Sequence, residues 1–479
     1  MKKKIFRLFQ QSAQKYPSRP WVVENGFVWT FAKMEERVMH RVQELHDQGI
    51  RPHHRVVYQG YNSTRFIRDM LATNALEATF VPLSPDVPVS TLDTIHALVK
   101  SGHSLPQGWK NPDDPLSTIL FTSGTTGTPK GVLLSQDNVC RNIAMIGERI
   151  PPCVISHVDR SYAFLPWYHS YGMVCELLFL MSRGASMVLP STPTRTPRVM
   201  IREIRGAQPT LLYTVPRFLE KVEQLSRRFW YIPNVVKKRA VFGPSLRCVS
   251  VGGARVHDST LFFFREAWNL DVFQGYGLTE TGPMISLQSL DDSRNFPSCG
   301  RPLEGVSVRK GDTGELEVQS PSVCQGYLGH NNTVWKPFEK FLSDGWFRTG
   351  DVIHQKGKGD PLCFEARQSG MWKSPGGKFI DPEFIEKTLL EIEGIEQAAL
   401  IGNGRSHLHA VLYVPQLALQ KTMLPRVHQH LLARGFQPYE FPKHLVFLKT
   451  PLSEQDGTLS IKQEPKRHVL QALYDGGKI

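Results

Sequence analysis

The amino-acid sequence predicts an α/β protein: a large N-terminal domain of parallel sheets with crossover helices, carrying a small β-rich module, and a smaller α+β C-terminal domain. Three observations carry this. Short β-rich runs recur along the chain (RVVYQG, ATFVPL, STILFT, ASMVLP, TLLYTV, LRCVSVGG, DVFQGYG) and are bounded by turn residues. Between them lie longer stretches with helical spacing, such as 31–46 and 198–207, and this alternation is how strands joined by crossover helices read in a sequence. From about Gly300 the texture changes to short strands with glycine turns (GVSVRKGDTGELEVQS), which fits a compact β module better than another crossover unit. A further unit starts near Arg367, dividing the chain into 1–366 and 367–479. Within it Asp381 is placed to cap a helix, with Pro382 at its first position, Glu383 in its first turn, and Phe384, Ile385, Leu389 and Leu390 on its apolar side.

The 479 residues are enough for about three folding units, and 41% hydrophobic with 21% charged residues excludes a disordered chain, a collagen-like fibre and a disulfide scaffold. Seven cysteines without a CxxC pair argue against a zinc ribbon or a disulfide framework and for a reducing compartment. The start MKKKIFRLFQQ is basic, but Arg7 and the glutamines interrupt a signal-peptide core. The longest apolar run, MVCELLFLM, is broken by Glu176, so a cytoplasmic protein, or one peripheral to a membrane, is expected. Subtracting 44 acidic from 57 basic residues leaves +13, which favours partners carrying phosphates or anionic head groups. With the basic N-terminus, that charge offers a route to anionic bilayers. Nucleic acid is not an expected partner, because the basic residues form no stripe interleaved with aromatics.

The strongest local signal is TSGTTGTPKG, residues 122–131, directly after the strand STILF. Its glycines let the backbone turn tightly around an anion, while Thr122, Ser123, Thr125, Thr126 and Lys130 supply donors, so phosphate binding follows. A plain Gly/Thr turn would need neither so many donors nor the lysine. It is not a Walker loop, and GYGLTE departs from the dinucleotide fingerprint by placing Glu280 where the third glycine belongs.

Six segments in order, TSGTTGTPKG, LPWYHSYG (165–172), VGGA (251–254), GYGLTET (275–281), DGWFRTGD (344–351) and GGKFIDPEFIE (376–386), resemble the acyl-adenylate-forming (AMP-binding) superfamily. Within it the run SPGGKFIDPEFIE and the ending TLSIKQEPKR look most like long-chain fatty acyl-CoA synthetases. The resemblance implies ATP-dependent activation of a carboxylic acid to acyl-AMP with Mg²⁺, then thioester formation with CoA. It implies that Thr122, Ser123, Gly124, Thr125, Thr126 and Lys130 hold the outer phosphates, that Thr279 holds the α-phosphate, and that Glu280 binds the metal. Tyr276 would stack on adenine beside the backbone of Gly252, Gly253, Ala254 and Gly277; Asp351 would accept the ribose hydroxyls with Arg367 nearby; His169 would lie beside the acyl carbonyl or the thiol path. Taken singly, Tyr276 reads as core, Asp351 as a turn residue and Glu280 as a solvated charge; their joint occurrence favours the site.

Several positions depart from the family pattern. Ala366-Arg367-Gln368-Ser369-Gly370 lacks a charged pivot, Gln136 and Glu77 replace a common His and Gly, and the segment between Pro82 and Thr122 is short. The lysine that relatives bring to adenylation is read as Lys462, with Lys466 as the other candidate. The expected activity is a fatty-acid:CoA ligase; the alternatives are an adenylating enzyme that serves a carrier protein or uses an aryl or amino acid, and a nucleotide-binding pseudoenzyme.

Overall fold

A computed structural model describes residues 4–100, 104–122, 129–191, 197–229, 231–254, 256–290, 298–312, 314–357, 359–367, 372–373, 379–403, 405, 407–453, 455–459 and 465–479. The chain forms two compact units, the larger made of Met1–Ala254, Phe263–Thr349 and Gln355–Cys363. The β-rich runs named above all form strands. Six of the nine strands in one sheet are parallel neighbours, in the order Asp271–Gly277, Cys248–Val251, Leu211–Thr214, Arg160–Tyr162, Ser186–Val188 and Pro20–Glu24. Antiparallel strands finish its edges: Met284–Leu287 and Arg301–Pro302 on one side, Phe27–Thr30 on the other.

The second large sheet has six strands, parallel across Arg55–Gln59, Thr79–Leu83 and Leu116–Thr122, then antiparallel through Lys130–Ser135, Tyr327–Gly329 and Thr333–Trp335. Both sheets are therefore mixed rather than purely parallel. The reason is connection length: a parallel crossover needs about a dozen residues, whereas Thr122 and Lys130 are direct partners across an antiparallel pair. The glycine-rich segment thus joins the two arms of a hairpin, not a strand to a helix. Past Gly300 the expected β module appears as the antiparallel pair Ser307–Lys310 and Glu315–Gln319.

The helix Lys4–Lys15 buries Ile5, Phe6, Phe9 and Ala13 within this unit. Lys4 Nζ meets Asp137 Oδ1 at 2.6 Å, and the Ile5 amide donates to Gln136 Oε1 at 3.0 Å. The apolar face of this helix is thus packed within the unit. The bond from Ile5 also accounts for Gln136, whose Nε2 donates at 2.9 Å to Asn74 Oδ1, which in turn accepts from Ser117 Oγ at 3.0 Å.

Glu77 is explained by the helix Thr64–Ala75 that precedes it. Ala78 N bonds Thr73 O at 3.0 Å and Glu77 N bonds Asn74 O at 3.1 Å, the paired bonds of a Schellman stop, which places Glu77 in the left-handed position that glycine usually fills. Its φ is 57°. A non-glycine residue is strained there by roughly 1–2 kcal/mol, part of which glycine returns as chain entropy. Glu77→Gly is therefore expected to stabilise the protein by about 0.5–1 kcal/mol in urea titration; an unchanged or lower midpoint would contradict this account.

The smaller unit comprises Arg255–Phe262, Gly350–His354 and Phe364–Ile479. Its sheet places His409–Tyr413 between antiparallel Gln397–Ile401 and parallel His444–Phe447. Asp381 caps the helix Pro382–Leu389, accepting from Phe384 N at 3.0 Å. Phe384, Ile385 and Leu389 are buried as expected, while Leu390, at the helix end, is exposed. Glu386 is buried and grips the last helix, Arg467–Asp475: Arg467 Nε and Nη2 donate to its two oxygens at 2.7 and 2.5 Å, and Leu400 N donates at 2.7 Å. Burial raises the Glu386 carboxyl pKa despite the opposing pull of Arg467. His257 stacks on Phe384 at 4.4 Å and meets Thr388 Oγ1 at 3.1 Å, so the excursion packs into this unit's own core at His257.

Candidate active site

The larger unit brings several of the sequence motifs together around one turn. Thr279–Thr281 forms a short 3-10 helix after the strand Asp271–Gly277, and Glu280 sits at its centre, half-buried. The turn is locked from three sides: Cys324 N donates to Glu280 O at 2.7 Å, Ser322 Oγ to Thr281 O at 2.7 Å, and Asn142 exchanges bonds with both backbone groups of Met284 at 2.9 and 3.1 Å. Gly277 must lack a side chain, because a Cβ there would come within 1.9 Å of Pro283 O. That close approach lets Leu278 N bond Pro283 O at 3.0 Å and folds the turn back on its strand.

Glu280 Oε1 accepts from Tyr327 Oη at 2.8 Å. Burial, reinforced by the Glu280 charge, pushes the Tyr327 phenol far above its usual pKa, so it remains a donor. Its ring also carries Lys130: the ammonium lies 5.8 Å from the Tyr327 centroid and 5.3 Å from that of Trp335, at cation–π distance. Thr122 Oγ1 donates to Lys130 O at 3.4 Å, at the foot of the hairpin. Ser123, Gly124, Thr125 and Thr126 lie outside the described residues. Lysine, tyrosine and glutamate thus form a chain from the hairpin base to the 280 turn, and Glu280 Oε2 accepts no hydrogen bond among the described residues. A Mg²⁺ ion fits such a donor set, because it typically takes one or two carboxylate oxygens and completes its shell with phosphate and water oxygens.

The other wall comes from residues 169–171. Ser170 Oγ lies 3.1 Å from Thr279 Oγ1, and Tyr171 Oη lies 3.1 Å from Ser250 Oγ. Ser250 is on the strand Cys248–Val251, which leads into Gly252, Gly253 and Ala254. Gly253 has a φ of 86° and, with Ala254, is exposed, so this backbone presents an open surface. A Cβ on Gly252 would touch the Tyr171 ring at 3.4 Å. Tyr276 is nearly covered on its strand. His169 is solvent-accessible, yet desolvation holds its imidazole below the usual histidine pKa.

Tyr171 opens a π-helix, Tyr171–Leu178, in which the whole run from Gly172 is buried, Glu176 included. Glu176 accepts from Ser161 Oγ at 3.0 Å and Trp167 Nε1 at 3.3 Å. Burial still dominates and pushes its pKa up to about 8. A carboxyl raised in the folded state keeps its proton there, so stability is full below its unfolded value and falls as pH rises towards 8. Glu176→Gln removes that titration and should gain on the order of 2 kcal/mol over the parent between pH 6 and 8. Parallel melting curves at the two pH values check this, and a gap independent of pH would refute it.

Asp351 is buried on Phe347–His354 and Arg367 ends Cys363–Arg367; both are assigned to the smaller unit. Lys462 lies outside the described residues. Lys466 precedes the last helix, its amide donating to Thr458 O at 2.8 Å. Sequence reasoning gave no role to Tyr327, Trp335, Ser170, Tyr171 or Ser250, although Ser170 and Tyr171 lie within the segment LPWYHSYG; Tyr327 comes to the site because its strand lies against the one that begins at Lys130.

Residues 90–328 match the family model described as AMP-binding enzyme. The chain belongs to the AMP-binding enzyme family. This AMP-binding enzyme is 28% identical over 436 residues to a feruloyl-CoA synthase of an Amycolatopsis species, covering 81% of its own length and 84% of that protein. It is 26% identical to the long-chain-fatty-acid–CoA ligase FadD15 of Mycobacterium bovis, over 64% of its length and 55% of that protein. The likeness thus extends further along the feruloyl-CoA synthase than along this long-chain ligase, contrary to the expectation from the C-terminal motifs. Among solved structures, the anthranilate CoA ligase AuaEII in complex with anthranoyl-AMP superposes with a TM-score of 0.77 at 17% identity, covering 99% of this chain and 97% of that one. The AMP-binding enzyme therefore has the adenylate-forming fold.

Proposed function

We propose that the protein is an acid–thiol ligase that uses MgATP to convert a carboxylic acid into acyl-AMP and then transfers the acyl group to CoA. The observation that carries this is the Lys130–Tyr327–Glu280 chain meeting Thr279 and Ser170 in one locked turn. In the first step a carboxylate oxygen attacks the α-phosphorus, an O–P bond forms, the bond to the β-phosphate breaks, and pyrophosphate leaves. In the second the thiol loses its proton, its sulfur bonds the acyl carbon, the bond from that carbon to the phosphate oxygen breaks, and AMP departs. Two anions must meet in the first step, so positioning and charge neutralisation matter more than acid–base work.

Lys130 and the hydroxyls of 122–126 would take the outer phosphates, Thr279 the α-phosphate and Glu280 the Mg²⁺, which when bound offsets developing phosphate charge. Tyr276 with the 252–254 and Gly277 backbone would receive adenine. Asp351 and Arg367 keep the ribose roles implied by the resemblance, Lys462 that of the adenylation lysine, and His169 a place beside the acyl carbonyl.

For the acid we favour an aryl or arylalkenyl carboxylate over a long-chain fatty acid. The feruloyl-CoA synthase shares most of its length with this chain. ATP/pyrophosphate exchange across cinnamic-type, benzoic, medium-chain and long-chain acids tests this. Exchange with aromatic acids, followed by CoA consumption, is expected. Exchange with long-chain acids alone would restore the fatty-acid reading; exchange without CoA use would indicate a carrier protein as acceptor. ATP binding with no exchange would indicate a pseudoenzyme.

A further inference from the structure

We propose that the larger unit docks on anionic lipid bilayers through the surface between the helices Pro216–Arg228 and Asn234–Phe242. Four large apolar side chains lie exposed within eight positions there: Phe229 (47%), Tyr231 (66%), Val235 (68%) and Val236 (51%). Among the described residues no other eight-residue window exposes so many. Phe229 and Tyr231 meet edge to face, with centroids 6.3 Å apart, so they form one apolar cluster.

Within the segment itself the charge has one sign. Residues 227–239 contain Arg227, Arg228, Lys237, Lys238 and Arg239 and no acid. Arg227 is 61% exposed while paired at 2.8 Å with Glu223 of the preceding turn, and Arg239 is exposed. Lys237 Nζ donates to Ser226 O at 3.3 Å, tying the second helix to the end of the first and holding the cluster as a preformed projection.

Exposed rings and branched aliphatics inside a basic rim are the chemistry of the bilayer interface. Aromatics settle at headgroup depth, aliphatics enter the acyl boundary, and cations meet anionic lipid. The basic residues here flank the aromatic ones and do not alternate with them. Nucleic acid would use the rings and cations, but it offers nothing to two exposed valines. The occupant argued for is therefore lipid, reached by this face and not by the packed N-terminal helix.

The test is co-sedimentation of the full chain with phosphatidylcholine vesicles and with vesicles that also contain phosphatidylglycerol, at low and high salt. The parent should bind the anionic vesicles at least tenfold more tightly, and lose most of that at high salt. Phe229→Ser with Tyr231→Ser should weaken binding at least tenfold while leaving the melting temperature and basal activity unchanged. Phe27→Ser, at an exposed position elsewhere, should have no effect. Failure of the parent to bind anionic vesicles, or equal binding by the double variant, overturns the proposal. Binding to a single-stranded oligonucleotide in place of vesicles would overturn it in favour of a nucleic-acid surface.

Discussion

Glu280→Gln is expected to lower acid-dependent ATP/pyrophosphate exchange by on the order of 10²–10³-fold, the loss typical when one preorganised electrostatic group is removed from a transition state. Gln is isosteric and still accepts the Tyr327 hydroxyl, which lies 2.8 Å from Glu280 Oε1, so the turn should keep its shape and the melting temperature should hardly move. What disappears is the negative charge that matches a divalent ion. Tyr327→Phe serves as a graded companion: it keeps the charge and removes only its orienting hydrogen bond, and about a tenfold loss is expected. Raising the Mg²⁺ concentration should recover part of the Gln defect through mass action. Exchange at parental rate in Glu280→Gln would remove Glu280 from the reaction.

Glu386→Ala should destabilise the smaller unit by about 2–3 kcal/mol, because it leaves the half-buried Arg467 guanidinium unpaired and the Leu400 amide without its carboxylate. Limited proteolysis reads this directly: cleavage should concentrate before the final helix, Arg467–Asp475. Glu386→Gln, which still offers an oxygen to Leu400 N, should fall between parent and Ala. An Ala variant as resistant as the parent would show that the helix is held by its apolar contacts alone.

The fold was legible wherever the pattern was local. The apolar runs gave strands in their places, and Asp381-Pro382 gave a helix start with the expected capping bond. What escaped was set by distant partners. The direction of Lys130–Ser135 depends on its pairing with Leu116–Thr122, and no periodicity encodes that. Glu77 reads as an odd replacement until its positive φ shows a helix stop, and Gln136 until its bonds to Ile5 and Asn74 are seen. Glycine-rich motifs announced the candidate site because close backbone approach restricts residue type, as at Gly277. Tyr327 and Tyr171 did not, since an aromatic beside a glycine is common and only the third dimension sets them against Glu280 and Ser250.

The chain enters the smaller unit three times, at Arg255, Gly350 and Phe364. Within that unit Arg434 Nη1 donates to Ser259 Oγ at 2.9 Å and to Thr260 Oγ1 at 3.2 Å, while His257 stacks on Phe384. Hybrids spliced to a relative at a single junction near 364 would therefore set one parent's His257 against the other's aromatic. Grafts that also transplant 255–262 and 350–354 would keep these native pairs together.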